Sequence, residues 1–169
     1  VALATTAGVG VAPASVSAAA PPCKVVNVRT GASTAKLQVA LDKAAAGDTL
    51  RITGTCKGSF TVGSGYAKSR KLTLVRGATS ADLQGTVGSV LKVVGGTIAI
   101  TGLRITGGDG VGCSTYGGTP DVACGGGIWN AARLTLTKVT VTGNRAGQTG
   151  AQFRRGGGDR KSTRLNSSH

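Results

Sequence analysis

The chain has no glutamate and no methionine, one histidine at its last position, and five aromatic side chains, Phe60, Tyr66, Tyr116, Trp129 and Phe153, in 169 residues. A histidine confined to position 169 leaves the body of the chain without the imidazole that Ser–His and Cys–His nucleophile pairs require. Zinc needs three or four thiolate or imidazole ligands at short spacing, and there is neither a second histidine nor a CxxC. Phosphate-loop, GxSxG and dinucleotide fingerprints are also missing. Acidic residues are scarce: six aspartates stand against 20 lysines and arginines, for a formal charge of +14. Such a charge suits an acidic partner, an anionic polysaccharide or cell-envelope polymer. Nucleic acid is not expected, because the cations are scattered singly, with clusters only at Lys68/Arg70/Lys71 and Arg154/Arg155, and few aromatics are present to stack on bases.

Both ends differ from the middle. Residues 1–22 are small and apolar and end in Ala-x-Ala-like sites before Pro21-Pro22, the pattern of a secretory signal-peptide remnant, so an exported or cell-surface location is expected. Pro13 and the Ala/Gly/Ser/Thr composition argue against a stable membrane span. Residues 159–169, Asp-Arg-Lys-Ser-Thr-Arg-Leu-Asn-Ser-Ser-His, resemble one reading frame of a sequencing-library adapter. They are read as a non-native tail, which leaves 23–158 as a single domain incomplete at its carboxyl end, with an open edge and a tendency to aggregate.

What the chain does contain is a segment that occurs twice, without a gap. Thr97–Gly110 aligns on Arg133–Ala146, so Ile98/Ile100 match Leu134/Leu136 and Leu103/Ile105 match Val139/Val141. Side chains of a strand alternate between faces, so all four apolar positions face one interior only if the chain turns at Thr101-Gly102 and at Thr137-Lys138. A corner-turning unit that repeats predicts a solenoid. Upstream, Leu50/Ile52, Phe60/Val62, Leu72/Leu74 and Leu91/Val93 continue the alternation, with glycines falling mainly between the pairs. Those glycines keep no three-residue period, which excludes collagen. Cys23–Val28 reads as a first strand. Ser33 or Thr34 then caps a helix whose apolar stripe, Leu37, Ala40, Leu41, Ala44 and Ala45, ends at Gly47.

Four cysteines in an exported chain imply disulfides, and position favours Cys23–Cys56 and Cys113–Cys124 among three connectivities. The second pair would close a Gly/Pro/Tyr-rich excursion that has no apolar period of its own.

The strand, the amphipathic helix, Ala44-Ala-Ala-Gly-Asp-Thr-Leu-Arg-Ile52 and Gly54-Thr-Cys-Lys-Gly-Ser-Phe60 resemble the amino-terminal cap and first coil of secreted right-handed parallel β-helix proteins of the pectate-lyase-like superfamily. Gly125-Gly-Gly-Ile-Trp-Asn130, followed by Leu-Thr-Leu, Val-Thr-Val and Thr-Gly-Asn144, is similar to a repeat of bacterial surface-associated β-helix proteins. The resemblance covers roughly Cys23 to Ala146 and implies an all-β solenoid, a right-handed parallel β-helix with an N-terminal capping α-helix. It carries fold far better than chemistry, because the matching residues are corner glycines and inward aliphatics.

Enzymes of that superfamily use clustered carboxylates, some with calcium. Here Asp42 lies on the helix, Asp48 reads as a capping or Asx-turn residue and Asp82 as a loop residue, so no catalytic residue is assigned. Asp109 and Asp121 flank the Cys113–Cys124 excursion, which also holds Tyr116; with Trp129 they form the candidate ligand surface, since inserted loops on regular scaffolds carry recognition. No cofactor is expected; calcium at this loop is the one candidate, and no DxD pair is there to hold it. Trp129 reads as a side chain covering the coil interior in preference to one stacking on a sugar ring. Thr135, Thr137, Thr140 and Thr142 suggest a Thr-x-Thr array of the ice-binding kind, but Ala99 and Arg104 in the other copy break it. The expected role is a non-enzymatic exported scaffold contacting glycan or envelope; the alternative is a polysaccharide lyase or glycoside hydrolase whose catalytic coils lie further along the gene.

Overall fold

The computed structural model describes residues 20–63, 71–110 and 125–145, together with a two-residue strand at Asp159–Arg160. The protein is mostly β, and its parallel sheet is strongly curled. In chain order the elements are β1 (Lys24–Asn27), β2 (Ser33–Thr34), α1 (Leu37–Lys43), β3 (Thr49–Lys57), β4 (Phe60–Val62), β5 (Lys71–Gln84), β6 (Leu91–Val93), β7 (Thr97–Thr101), β8 (Arg104–Thr106), β9 (Ile128–Asn130), β10 (Arg133–Thr137), β11 (Thr140–Val141) and β12 (Asp159–Arg160). The larger sheet has the order β10-β7-β5-β3-β1-β2, with β8 paired to β5 and β11 to β8; the smaller has the order β12-β9-β6-β4. The chain therefore visits the two sheets in turn, and each visit adds a parallel strand beside the previous one.

The repeat found in the sequence is a hydrogen-bonding register. Ile98 pairs with Leu134 and Ile100 with Leu136 between β7 and β10, and Ile105 pairs with Val141 between β8 and β11. Inward aliphatics line up across the strands, Leu50 with Leu74 and Leu74 with Ile100, all three fully buried. Each such side chain contributes about 1.5 to 3 kcal/mol on burial. In and beside β10 and β11 the inward side chains Leu136, Val139 and Val141 are partly buried.

The two predicted corners are present: φ is +73° at Gly102 and +52° at Lys138. Left-handed backbone costs a side-chain-bearing residue roughly 1 to 2 kcal/mol, part of which glycine returns through the entropy of its unfolded state. Lys138→Gly is accordingly expected to stabilise the protein by about 0.5 to 1 kcal/mol. A higher urea midpoint at unchanged m-value is the readout; no change would mean that Lys138 is not held in that conformation in solution.

Two local expectations give way. Ser33 and Thr34 do not cap the helix but form β2, which pairs antiparallel with β1 (Val25↔Thr34), and the residue preceding α1 is Lys36, with no side-chain cap. The Thr34 hydroxyl instead accepts a bond from the Lys36 N–H in the turn between them. Asp82 lies not in a loop but in β5, opposite Thr55 on one side and Arg104 on the other. The apolar period that marks β5 is interrupted where its register with β3 shifts between Ile52 and Gly54, which hid the continuity of the strand.

The amino-terminal segment closes the first edge of both sheets. β1 runs antiparallel along β3 from Lys24↔Thr53 to Asn27↔Leu50, and the Thr55 N–H donates to the Pro21 carbonyl. On the smaller sheet the Gln38 amide of α1 acts as a substitute strand, with Oε1 accepting from the Thr61 N–H at 2.9 Å and Nε2 donating to the Thr61 carbonyl at 3.0 Å. Backbone groups that would otherwise invite another chain are thereby satisfied. Cys23 and Cys56 form a disulfide that fastens this cap to β3. The other pair, Cys113 and Cys124, lies outside the described residues.

Candidate functional site

The smaller sheet shows one face to the core and one outward. Phe60, Leu91 and Ile128 are buried in one row, Val62, Val93 and Asn130 in another, so Thr61, Lys92 and Trp129 between them point outward, partly exposed. Trp129 therefore does not cover the interior, contrary to the sequence expectation: its neighbours Ile128 and Asn130 take the two inward positions. Asn130 is tolerated there, 6% exposed, with its side-chain oxygen accepting the Ala132 N–H. In register Trp129 lies beside Lys92 of β6; the position on its other side is Arg160 of β12, within the 159–169 segment read as a non-native tail. Neighbouring strands are about 4.8 Å apart, so Trp129 and Lys92 sit side by side on this face. Val94, two residues beyond Lys92, is 38% exposed and widens the apolar part of the ledge.

Close stacking upstream of Trp129 is held by small residues. Ser59 donates to the Ser89 carbonyl and Ser89, fully buried, donates to the Gly125 carbonyl at 2.7 Å. Asn144 adds a further link, accepting from the Gly108 N–H at 2.9 Å while donating to the carbonyls of Ile105 and Thr142. Neither ladder was foreseen, although the 36-residue offset from Ser89 to Gly125 and from Gly108 to Asn144 is that of the repeat.

Asp42, Asp48, Asp82 and Asp109 each have a partner in the fold. Asp42 accepts from Gln38, Asp82 from Arg104 at 2.8 Å, and Asp109 from the Gly88 N–H at 2.6 Å. Asp109 thus holds the corner leading into β6 and is not brought onto the row of Trp129. Its companions in the sequence reading, Tyr116 and Asp121, lie outside the described residues. Among the described residues no group of three His, Cys, Asp or Glu side chains is gathered that could hold a metal ion.

Asp48 is the most constrained carboxylate. It is 1% exposed and accepts bonds from Arg29, from Asn27 at 2.6 Å and from the Ala45 N–H at 2.9 Å. Its carboxylate takes the Ala45 N–H three residues before it, not one ahead as in the cap or Asx-turn expected of it, and its ion pair with Arg29 ties it to the chain after β1. The Arg29 hydrogen bond, followed by that of Ala45, lowers its pKa from 3.8 to about 2. Because the folded carboxyl binds a proton more weakly than the unfolded one, it stabilises the fold above pH ~4, and that contribution is lost as pH falls from there toward ~2. The melting temperature is expected to drop across this interval, and Asp48→Asn to flatten the dependence while lowering the plateau above it. An unaltered profile in the variant would show that another group governs acid unfolding.

A cleft of about 320 Å³ beside this pair is lined by Asn27, Arg29, Thr30, Thr34, Lys43 and Asp48. Arg29, Asn27 and Asp48 are bonded to one another across it, and Thr30 and Thr34 accept from backbone N–H groups, so these polar groups already serve the cap. No helix among the described residues is long and apolar enough to cross a membrane. Comparison with protein-family models, curated proteins and solved structures finds no match to this chain.

Proposed function

We propose that the chain is an exported right-handed parallel β-helix of the pectate-lyase-like type, acting as a non-enzymatic scaffold that contacts acidic glycans or the cell envelope through the outer face of its smaller sheet. The observation that carries the reading is the outward Trp129 set in register beside Lys92 on the outer face of the smaller sheet. An indole offers a pyranose ring an apolar stacking surface, and the Lys92 ammonium one strand away offers a uronate carboxylate its counter-charge. The non-enzymatic part is supported by Asp42, Asp48, Asp82 and Asp109, which are engaged in holding corners, cap and strands. Parallel strands stacked at the offset of the sequence repeat favour the β-helix, and a disulfide across the cap favours an oxidising compartment.

The test is retention of the protein on immobilised pectin and alginate in the presence of calcium, with release of unsaturated uronides followed in the same incubation. Retention without release, weakened in Trp129→Ala, is expected. Uronide release would turn the reading into the carbohydrate-active enzyme, and absence of retention on both polymers would overturn glycan contact.

A further inference from the structure

Positive charge is unevenly spread over the outer faces of the two sheets. On the smaller sheet the outward positions Thr61, Lys92 and Trp129 carry one cation. Along β8 the outward cations are Lys57 and Arg104, and Asp82 neutralises the second. Where β3, β5, β7 and β10 run side by side, three outward rows stand in register. The first holds Lys71, Thr97 and Arg133, the second Thr49, Thr73, Ala99 and Thr135, and the third Arg51, Val75, Thr101 and Thr137. Leu72, Leu74 and Leu134, which alternate with these rows, are buried, so the rows face solvent. Arg76 borders the third row at the corner: a Cβ added to Gly102 would come within 3.2 Å of the Arg76 Cβ, and Lys138 follows Thr137 at the equivalent corner. Arg51, Lys71, Arg76, Arg133 and Lys138 are all exposed, and none takes part in an ion pair among the described residues. No carboxylate stands on the three rows.

We propose that this face docks flat on an anionic lipid bilayer, its five cations meeting headgroup phosphates. The first and third rows are about 13 Å apart along the strands, and the four strands carry the charges over about 14 Å in the other direction. A pattern extended in two directions is complementary to a charged plane, whereas a single linear polyanion would touch only one row at a time. Between the rows lies a field of threonine and alanine, with no aromatic side chain on which a base or a sugar ring could stack; that separates it from the Trp129 face. Lysine and arginine side chains are longer than the threonine and alanine beside them, so their charged heads reach a flat partner before the floor does. Attraction of this kind holds a protein at the headgroup surface without an inserted apolar segment, and salt weakens it because it falls off within a Debye length.

Co-sedimentation of the full chain with vesicles tests this. Binding is expected to equimolar phosphatidylcholine and phosphatidylglycerol, not to phosphatidylcholine alone, and to be reversed by added salt. Each lysine or arginine near an anionic surface contributes about fivefold to partitioning, so Lys71→Gln/Arg133→Gln weakens binding roughly 30-fold. Arg51→Gln/Arg76→Gln, on the opposite border, is the second variant and loses as much. Lys36→Gln/Lys43→Gln removes the same charge from exposed positions beside and on α1 and changes binding less than about twofold. All six side chains are exposed, and unchanged circular dichroism verifies that the fold is kept. Trp129→Ala leaves vesicle binding as it was, so this docking stands or falls separately from glycan contact. No binding to the anionic vesicles, equal losses in the face and α1 variants, or tighter retention of a DNA duplex than of vesicles at equal phosphate would each overturn the proposal.

Discussion

The double substitution Cys23→Ala/Cys56→Ala is expected to destabilise the protein by about 3 to 4 kcal/mol, the loop-closure entropy of a bridge spanning this many residues. The two cysteines are 33 positions apart, and between them lie β1, β2, α1 and most of β3. Chain entropy is only part of the effect, because the bridge holds the cap at the place where β1 runs antiparallel to an otherwise parallel sheet. When it is cut, the cap is held to β3 and β4 by the β1–β3 ladder, the Asn27 and Arg29 bonds to Asp48, the Gln38 bonds to Thr61 and the packing of Leu37 and Leu41. Equilibrium urea unfolding measures the loss, with a melting temperature lower by on the order of 10 °C as the companion readout. A loss below about 1 kcal/mol would mean that the cap is fixed by its hydrophobic and backbone contacts and that the bridge is incidental to it.

Gly108→Ala is expected to cost on the order of 3 kcal/mol, through close approach and not through backbone dihedral. Its φ is ordinary, but an added Cβ would lie 1.8 Å from the Gly126 carbonyl oxygen and 2.9 Å from a Val90 methyl. The obstacle is backbone, which cannot rotate aside as a side-chain tip can. The strand ends meeting there carry the Ser89 and Asn144 bonds, so relief by moving apart would break them. Gly31→Ala is the contrasting control: with φ at +73° and nothing within 4 Å it meets only the dihedral penalty, about 1 kcal/mol. Equal losses in the two variants would show that the glycines of the stack are selected for conformation and not for proximity.

Much of this architecture could be read in the residues because its organising distance is written twice. The match of Ile98/Ile100 to Leu134/Leu136 is both a sequence alignment and a list of hydrogen-bonded neighbours, and Gly102 and Lys138 turn where the alternation demanded a bend. Local periodicity is legible when burial alternates strictly, as in β3, β4 and β6. It failed where long-range contacts decide. Thr34 pairs with Val25 across a turn, a contact no capping rule anticipates, and Arg29 reaches Asp48 from 19 positions away. Trp129 was read as covering the coil interior, whereas Ile128 and Asn130 take the inward positions on either side of it and fix it on the outer face. The hydroxyl and amide ladders of Ser59, Ser89 and Asn144 were missed because small polar residues near glycines resemble ordinary loop composition.

The connections between the two sheets vary widely in length while the strands they join keep their pairing. β3 passes to β4 through two residues, whereas the passage from β8 to β9 is several times longer than that from β5 to β6. Contour length between anchor points is thus uncoupled from the geometry of the anchors, since each strand answers only to the neighbours above and below it. Changes of length between strands are accordingly expected to leave the rungs on either side in place, because the hydrogen bonds that fix each strand do not pass through the connection.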